Sequence, residues 1–236
     1  MIKIIISIHQ PNYIPWIGYF KKMLRSDIFV FLDDVQYEKN YLINRNKIRT
    51  SDGSMWLTIP VHAKHDSLIN DVKIDNSQNW GERHKKSILI NYAKAKFLKD
   101  YVNFFDTLYE KQFDRLIDIN VEIILYLMKT LDIKTKTIFS SELNVEGMGS
   151  DRILNICKSL NADSYISGQF GKNYLNIESF KNSGITIELQ NFIHPVYTQC
   201  YNPFVPNMSI IDLMFNEGIN SKNILRKLCN NSFILT

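Results

Sequence analysis

Residues 3–34, KIIISIHQPNYIPWIGYFKKMLRSDIFVFLDD, decide the fold class of this 236-residue chain. The β-branched run at 3–8 predicts a buried strand, which the Pro-containing polar loop that follows brings to an end. Residues 15–26 carry apolar side chains at helical spacing, and the apolar run at 28–32 predicts a second strand. Strand, loop, helix and strand in this order form a βαβ unit, from which parallel α/β sheets are built.

The rest of the chain continues the α/β pattern after a mixed middle part. Strands are predicted at residues 55–61, 71–75, 137–141, 164–167 and 185–189. Helices are predicted at about 80–105, 107–131 and 150–160, the last with Ser150 as its N-cap, and another begins at about 209. We therefore expect one α/β domain over residues 1–236, with a Rossmann-like parallel-sheet core and a mostly helical insertion at about 80–132.

Composition excludes several classes of protein. Lys and Arg number 28 and Asp and Glu 24, so the net charge of +4 is too small for a dedicated polyanion binder, and 45% hydrophobic residues are too many for a disordered chain. The chain has no apolar run of about 18 residues and no signal-peptide pattern, so we expect a cytoplasmic protein without a membrane span. Three cysteines without a CxxC pair argue against a disulfide framework or a zinc site.

Polar residues follow four of the predicted strands. Ligands of parallel α/β sheets bind outside the carboxyl ends of the strands, so we expect these groups to meet on one rim. The four groups are His9 with Gln10 and Asn12, Asp33 with Asp34 and Gln36, His62 with His65, and Ser167 with Gly168 and Gln169. His62 and His65 lack a third ligand nearby in the sequence, and no metal site is predicted.

His9 stands between a predicted strand and a predicted helix. The positive end of that helix favours a neutral imidazole, which is the form that a general base needs. The alternative is that His9 bonds to the backbone and fixes the turn before Pro11. Asp33 and Asp34 point to opposite faces if the strand continues. One of them could orient His9, bind a sugar hydroxyl or hold a divalent cation, and the alternative is a solvated strand exit or a loop-fixing turn.

Two basic segments are candidates for binding anions. Asn44, Arg45, Asn46 and Lys47 are predicted to form a basic loop that reads a phosphate or sugar hydroxyls, or one that is only solvated. Residues 83–99, RHKKSILINYAKAKFLK, carry six Lys or Arg and no acid. This stretch could dock a polyanion or an acidic carrier protein, or it could be the solvated face of an amphipathic helix.

The segment HQPNYIPWIGYFKKMLRSDIFVFLDDVQYEKN resembles the signature of the WbqC-like protein family. The resemblance continues through INRNKIRT, WLTIPV, IDNSQNW, SSELNVEG, LNICKSLNADSYISGQFGKNYL, HPVYTQ and PNMSIIDLMFNEG, and so covers essentially the whole chain. Members of the family are typically encoded among bacterial surface-polysaccharide genes, and some are thought to attach glycine or another acyl group to the amino group of a nucleotide-linked amino sugar. Its most distinctive polar positions fall here on His9, Gln10, Asn12, Asp33, Asp34, Gln36, Asn44, Arg45 and Asn46.

The resemblance implies an acyl- or aminoacyltransferase of O-antigen or lipopolysaccharide biosynthesis that acts on a nucleotide-linked amino-deoxy sugar. We expect His9 to be the general base, with Asp33 or Asp34 orienting it or binding a sugar hydroxyl. Asn12, Asn44 or backbone N–H groups at 15–17 would stabilise the oxyanion, and Arg45 and Lys47 would hold the nucleotide diphosphate. Gln10, Trp16, Gln36, Asn46, Ser167 and Gly168 complete the expected substrate site.

No tightly bound cofactor is expected. The acyl donor is a co-substrate, either an acyl carrier protein, a coenzyme A thioester or an aminoacyl-tRNA, and residues 83–99 would receive it. A weaker similarity links the first βαβ unit to nucleotidylyltransferases of the HxGH type, but Trp16 and Tyr19 stand where those enzymes have histidines. The alternatives are therefore a nucleotidyltransferase or ligase-like enzyme with a divalent metal at Asp33 or Asp34, and a non-catalytic sugar-nucleotide-binding protein.

Overall fold

The structure, a computed structural model, describes residues 3–230 and 233–235. Its strands are β1 (Ile5–His9), β2 (Ile28–Phe31), β3 (Arg45–Thr50), β4 (Gly53–Thr58), β5 (Val61–His62), β6 (Lys73–Ile74), β7 (Lys136–Phe139), β8 (Ser164–Ser167), β9 (Thr186–Leu189) and β10 (Phe233–Leu235). Its helices are α1 (Ile17–Leu24), α2 (Trp80–Asn91), α3 (Leu98–Glu110), α4 (Leu116–Thr130), α5 (Gly149–Ser159), α6 (Ile177–Asn182), α7 (Ile210–Glu217) and α8 (Asn220–Lys227).

The central sheet has the strand order β10-β9-β8-β1-β2-β7. All neighbouring strands in it run parallel except β10, which pairs antiparallel with β9. Helices cover both faces of this sheet. The α/β class with a Rossmann-like parallel core, predicted from the sequence, is confirmed.

Side-chain alternation along the strands divides the apolar core into two layers. Phe29 and Phe31 of β2 point to the face that carries α1, α4 and α7, where the larger cluster of buried side chains lies. Val30 and the isoleucines Ile6 and Ile8 point to the opposite face and pack against α5 and α6. Because α1 follows β1 and α6 follows β8, the chain leaves these neighbouring strands on opposite faces. The switch point of the sheet, where α/β proteins bind ligands, therefore lies between β1 and β8.

Residues 32–135 connect β2 to β7 and contain several differences from the predicted elements. Asn44–Lys47 is not a loop, because β3 begins at Arg45 and pairs with β4 in an antiparallel hairpin. The two predicted helices at 80–131 are three, α2 to α4. Ser150 does not cap α5, whose N-cap is Met148; its hydroxyl accepts a hydrogen bond from the backbone N–H of Asn176 instead.

Among the described residues, no helix combines the length and apolar character needed to cross a membrane. The cysteine in α5, Cys157, is fully buried, and burial raises the pKa of its thiol. A core role for this cysteine, rather than a nucleophilic one, agrees with that environment.

Candidate functional site at the carboxyl edge of the sheet

His9 is the last residue of β1 and lies beside the switch point. Its Nδ1 is 3.1 Å from the carbonyl oxygen of Gln10, which makes Nδ1 the protonated nitrogen and leaves Nε2 as an acceptor. The ring packs edge-on against Tyr19 of α1, with 4.8 Å between ring centroids. Burial, and after it the charge of Lys22, lowers the pKa of His9 from 6.5 to about 3. His9 therefore presents a neutral, unprotonated nitrogen at neutral pH.

Lys22 is a buried lysine next to this histidine. Its Nζ donates a hydrogen bond to the carbonyl oxygen of Ile8 over 3.1 Å, and only 4% of the residue is exposed. No carboxylate among the described residues forms an ion pair with it. Burial lowers its pKa from 10.5 to about 7. Lys22 was not among the residues expected at the site, because it stands at a helical position next to another lysine, Lys21.

The loop after His9 is built around buried amides. Nδ2 of Asn46 donates to the carbonyl oxygens of Tyr13 and Ile14, at 3.2 and 2.8 Å. Nδ2 of Asn120, on α4, donates to the carbonyl oxygens of Pro11 and Ile43, at 2.8 and 2.7 Å. These bonds hold Ile14 at a φ of 38°, a left-handed conformation that is strained for a β-branched residue. Asn46 was expected to bind substrate, and its side chain is instead committed to this loop.

Asn12 differs from the other buried amides of this region. It is 0% exposed, yet neither Oδ1 nor Nδ2 of its side chain has a hydrogen-bond partner among the described residues. A buried primary amide without partners is costly, and in native proteins it calls for an explanation such as a ligand or an ordered water. Asn12 is therefore a stronger candidate for ligand binding than Asn44, whose Nδ2 already donates to the carbonyl oxygen of Ile59 over 2.9 Å.

Asp33 and Asp34 follow β2, as predicted, but their partners are not His9. Asp33 is 3% exposed and accepts hydrogen bonds from the hydroxyl group and the backbone N–H of Ser141, and its Oδ1 lies 3.0 Å from the Ser140 Oγ. Asp34 forms an ion pair with Arg152 of α5 and also accepts from the Ser140 hydroxyl. The two carboxylates thus tie β2 to the segment that follows β7. The orienting partner of His9 is the Gln10 carbonyl.

The other half of the switch point is formed by β8 and β9. Ser167 is fully buried, and its hydroxyl is 3.5 Å from that of Tyr174. A side chain at Gly171 would bring its Cβ to 2.1 Å from the Ser167 Oγ, so the turn after β8 requires glycine there. Gln190 follows β9 and donates through Nε2 to the carbonyl oxygen of Gly18 in α1. The structure thus brings Ser167 to the same edge of the sheet as His9, with the partly exposed Gly168 directly after it.

The remaining expected residues are more scattered. Trp16 precedes α1 and contacts Phe192 edge-on at 4.6 Å between ring centroids. The side chain of Gln36 is exposed and donates to the carbonyl oxygen of His65. Gln10 is partly exposed and contributes its backbone carbonyl to His9. Of these three, Trp16 and Gln10 lie beside the switch point, and Gln36 belongs to the connection that leads to the hairpin.

Arg45 and Lys47 lie on the exposed face of the β3–β4 hairpin. The Arg45 guanidinium carbon is 4.3 Å and the Lys47 Nζ is 4.9 Å from the centroid of the Trp56 ring. Ser209 joins the hairpin to the carboxyl edge. Its backbone N–H donates to the Lys47 carbonyl, and Ser209 also forms an isolated β-bridge with Trp16. Lys47 and Trp16 therefore lie two strand spacings apart, about 10 Å.

An acid-lined cleft of about 560 Å³ opens beyond the carboxyl ends of β2 and β7. Five carboxylates and one guanidinium are among its lining groups, together with apolar side chains of α4 and Phe139. The charged groups are Asp33, Asp71, Asp118, Glu122, Glu142 and Arg115. Arg115 is paired with Asp118 and Lys111 with Glu122, so the cleft keeps a surplus of negative charge from Asp33, Asp71 and Glu142. Only Asp33 of this set was recognised from the sequence, since the others come from separate segments without a motif.

Metal ligation finds no support in the arrangement of these side chains. Within residues 3–230 and 233–235, no three His, Cys, Asp or Glu side chains come together as a metal site would require. Nε2 of the exposed His62 lies 3.5 Å from Oδ1 of Asp75. In the basic stretch at 83–99, Lys85 lies 3.5 and 3.6 Å from carboxylate oxygens of Asp106 and Glu110 in α3.

These features define an α/β protein with a Rossmann-like sheet and a cluster of polar side chains at the carboxyl edge of that sheet. The chain belongs to the WbqC-like protein family, whose model matches residues 10–224, and the membership expected from the sequence is thereby confirmed. It is 31% identical over 225 residues to the uncharacterized protein Rv1507c of Mycobacterium tuberculosis, with 94% of this chain and 97% of that protein covered. No solved structure matches the chain.

Proposed function

We propose that this protein is an acyl- or aminoacyltransferase that modifies the amino group of a nucleotide-linked amino-deoxy sugar. The WbqC-like family is associated with polysaccharide biosynthesis, and this activity would supply a modified sugar nucleotide to O-antigen or another surface polysaccharide. The observation that carries the proposal is the acid-lined cleft at the carboxyl edge, with its five carboxylates and one paired guanidinium. Such a cleft attracts an ammonium group and offers acceptors to sugar hydroxyls, and its volume is in the usual range for small-molecule sites.

His9 supplies the proton acceptor in this proposal. Nδ1 of His9 donates to the Gln10 carbonyl, so Nε2 remains as an acceptor. The rings of Phe31 and Phe139, with 5.5 Å between their centroids, lie in a row between His9 and the cleft. β1 and β7 flank β2, so His9 lies about 10 Å from Phe139 at the wall of the cleft. The carboxylates of the cleft gather the ammonium form of the substrate, and the neutral amine reacts when it lies within hydrogen-bond distance of Nε2 of His9. A pKa of about 3 makes His9 a weak base. That strength suits a nitrogen that becomes strongly acidic only while its bond to the acyl carbon forms.

The reaction then proceeds by addition and elimination. The amine nitrogen attacks the acyl carbon of the donor, the new C–N bond forms, and the nitrogen's proton passes to Nε2 of His9. The tetrahedral intermediate collapses with cleavage of the bond to the donor's sulfur or oxygen, and His9 returns the proton to that leaving atom. Nδ2 of Asn12, which has no other partner among the described residues, is the donor assigned to the oxyanion.

Product analysis tests the proposal directly. The purified protein is incubated with a nucleotide-linked 3- or 4-amino-6-deoxy sugar and, in separate reactions, with acyl-coenzyme A, acyl carrier protein or glycyl-tRNA. Mass spectrometry is expected to show an amide product with one donor. His9→Gln should reduce its rate by about 10²–10⁴-fold without loss of the fold. Full activity of His9→Gln would overturn the role of His9, and stabilisation by the sugar nucleotide without turnover would favour a binding protein. Consumption of ATP or CTP would favour the nucleotidyltransferase alternative.

A further inference from the structure

The exposed face of the β3–β4 hairpin carries an aromatic ring with two cations over it. Trp56 is 41% exposed, although tryptophan is an expensive side chain to leave in water. Arg45 and Lys47 both lie over its ring, and neither forms an ion pair within the part of the chain that the structure describes. The Nε atom of Arg45 is also buried without a hydrogen-bond acceptor there. Two unneutralised cations therefore share one small surface with a ring that they cover only in part.

Strand alternation explains why this face is free. Lys47 pairs with Trp56 across the hairpin, and Arg45 pairs with Thr58, so these side chains share one face. The opposite face carries Ile48 and Leu57, which are buried, and Met55, whose sulfur lies 3.7 Å from Nδ2 of Asn91 in α2. The hairpin is thus packed on that side against the protein. The other side is covered only at its Arg49 end, where the guanidinium is buried and donates to Gln199 and to the carbonyl oxygen of Pro203, and the end with Arg45, Lys47 and Trp56 stays open to a ligand.

We propose that Trp56 is the nucleobase platform of the substrate site, with Arg45 and Lys47 binding the diphosphate of the same nucleotide. A base stacks on an aromatic ring, and phosphates pair with adjacent cations, so a nucleoside diphosphate matches this surface in both charge and shape. The link from Lys47 through Ser209 to Trp16 brings this surface to the side of α1 that faces the switch point. This inference rests on the proposed function, since it assigns the nucleotide part of that substrate.

The arrangement also explains how one ligand could satisfy opposite charges on one protein. A nucleotide-linked amino sugar carries negative charge on its diphosphate and positive charge on its amine. The hairpin face supplies cations and the cleft beyond β2 and β7 supplies carboxylates. The nucleotide would be repelled from the cleft and the amine from the hairpin, so the two surfaces together impose one orientation on the substrate.

Calorimetric titration with uridine, thymidine, cytidine and guanosine diphosphates, without any donor, tests the inference. At least one nucleoside diphosphate is expected to bind, and Trp56→Ala should weaken it about tenfold or more, whereas Trp56→Phe should keep most of the affinity. Inorganic pyrophosphate should bind Trp56→Ala as it binds the wild type and should lose affinity with Arg45→Gln combined with Lys47→Gln. Met55→Ala, on the same strand but the opposite face, is the matched control and should bind like the wild type.

Unchanged affinity of Trp56→Ala for every nucleoside diphosphate would overturn the inference. So would Trp56-dependent binding of a single-stranded RNA by a protein that binds no nucleoside diphosphate, since this would make the surface an RNA site. Failure of the proposed function looks different. Nucleotide binding through Trp56 without any transfer would leave this inference standing, and transfer with an unaffected Trp56→Ala variant would leave the function standing.

Discussion

The Nζ atom of Lys22 lies 3.1 Å from the carbonyl oxygen of Ile8, the residue that precedes His9. The pairing of β1 with β8 ends at Ser7 and Ile166, so this carbonyl lies where the two strands separate. Lys22 therefore supplies a hydrogen-bond donor at the switch point, and its charge acts on the adjacent imidazole. A lysine held in this way stabilises the end of β1, and its charge adds to the effect of burial, the larger cause of the lowered pKa of His9.

The first prediction concerns the pH dependence of stability that Lys22 imposes. Burial lowers its pKa to about 7 in the folded protein, against 10.5 for an exposed lysine. Between these two values the unfolded chain binds a proton that the folded protein has lost, so this group makes the free energy of unfolding rise with pH. Lys22→Met should remove that rise, which we expect to be on the order of a few kcal/mol in total.

Urea unfolding at pH 7, 8, 9 and 10 measures this effect. Lys129→Met, which removes an exposed lysine of α4, is the matched control and should keep the wild-type slope. If Lys22→Met and the wild type show parallel pH profiles, the ammonium of Lys22 is not desolvated in the folded protein.

The second prediction concerns the charge and tautomer of His9. With a pKa of about 3, His9 should stay neutral from pH 8 down to about pH 4, with its proton on Nδ1. Between pH 6.5 and pH 3 the unfolded chain binds a proton at this histidine that the folded protein does not bind. His9 therefore lowers the free energy of unfolding as the pH falls through this window. Long-range ¹H–¹⁵N spectra of the histidine rings, assigned with His9→Gln, report both properties.

Lys22→Gln should raise the pKa of His9, because the neighbouring positive charge is removed while the burial remains. The change should stay below the full return to 6.5, since burial is the larger of the two causes. A wild-type His9 that titrates near 6.5 would contradict the environment described here and would make it an ordinary exposed imidazole.

The third prediction separates two buried asparagines that the sequence alone does not distinguish. Asn46→Leu should lower the free energy of unfolding by about 2–4 kcal/mol, because it removes the donor to the Tyr13 and Ile14 carbonyls. Asn12→Leu should leave stability unchanged or raise it, since the Asn12 amide has no partner among the described residues, while transfer activity should fall. Denaturant unfolding and the product assay measure the two effects. Comparable destabilisation by both substitutions would show that Asn12 is a structural residue.

The first βαβ unit was predictable because its signals are local. Apolar runs, a Pro-containing loop and helical spacing all lie within residues 3–32, and the observed strands end within one residue of the predicted ends. In the β3–β4 hairpin, the predicted strand at 55–61 corresponds to β4, but a loop was expected in place of the first part of β3. Its inward positions at Asn44 and Asn46 are polar, which inverts the usual strand pattern, because these amides serve the backbone of neighbouring loops. Hydrophobic alternation does not reveal β3, because Ile48 is the only apolar side chain among its inward positions at 44, 46 and 48.

The candidate site was predictable in its position and only partly in its contacts. His9 and Ser167 were recognised because each stands at a strand end, and parallel topology brings strand ends together. The partners of Asp33 and Asp34 lie more than 100 residues away, at Ser140, Ser141 and Arg152, so no local spacing points to them. The acid-lined cleft and the free face of the hairpin are likewise products of tertiary packing.

The last prediction concerns the three buried side chains that attach α2 and α3 to the loop after His9. The Tyr13 hydroxyl lies 2.8 Å from Nδ1 of His84 and 2.6 Å from the Tyr109 hydroxyl, and Nε2 of His84 lies 3.1 Å from the Thr58 carbonyl oxygen. Burial lowers the pKa of His84 to about 4. The ring is therefore neutral, with Nε2 donating to Thr58 and Nδ1 accepting from Tyr13, which in turn accepts from Tyr109.

Tyr13→Phe should lower the free energy of unfolding more than Tyr109→Phe does. The first change leaves both His84 Nδ1 and the Tyr109 hydroxyl without a partner, at about 1–3 kcal/mol for each buried group. The second removes one donor and leaves the Tyr13–His84 bond intact, at about 0.5–1.5 kcal/mol. Because both changes break the same Tyr13–Tyr109 bond, the double variant should cost less than the two single changes added together. Denaturant unfolding of the four proteins measures this coupling, and strict additivity would show that the two hydroxyl groups do not interact.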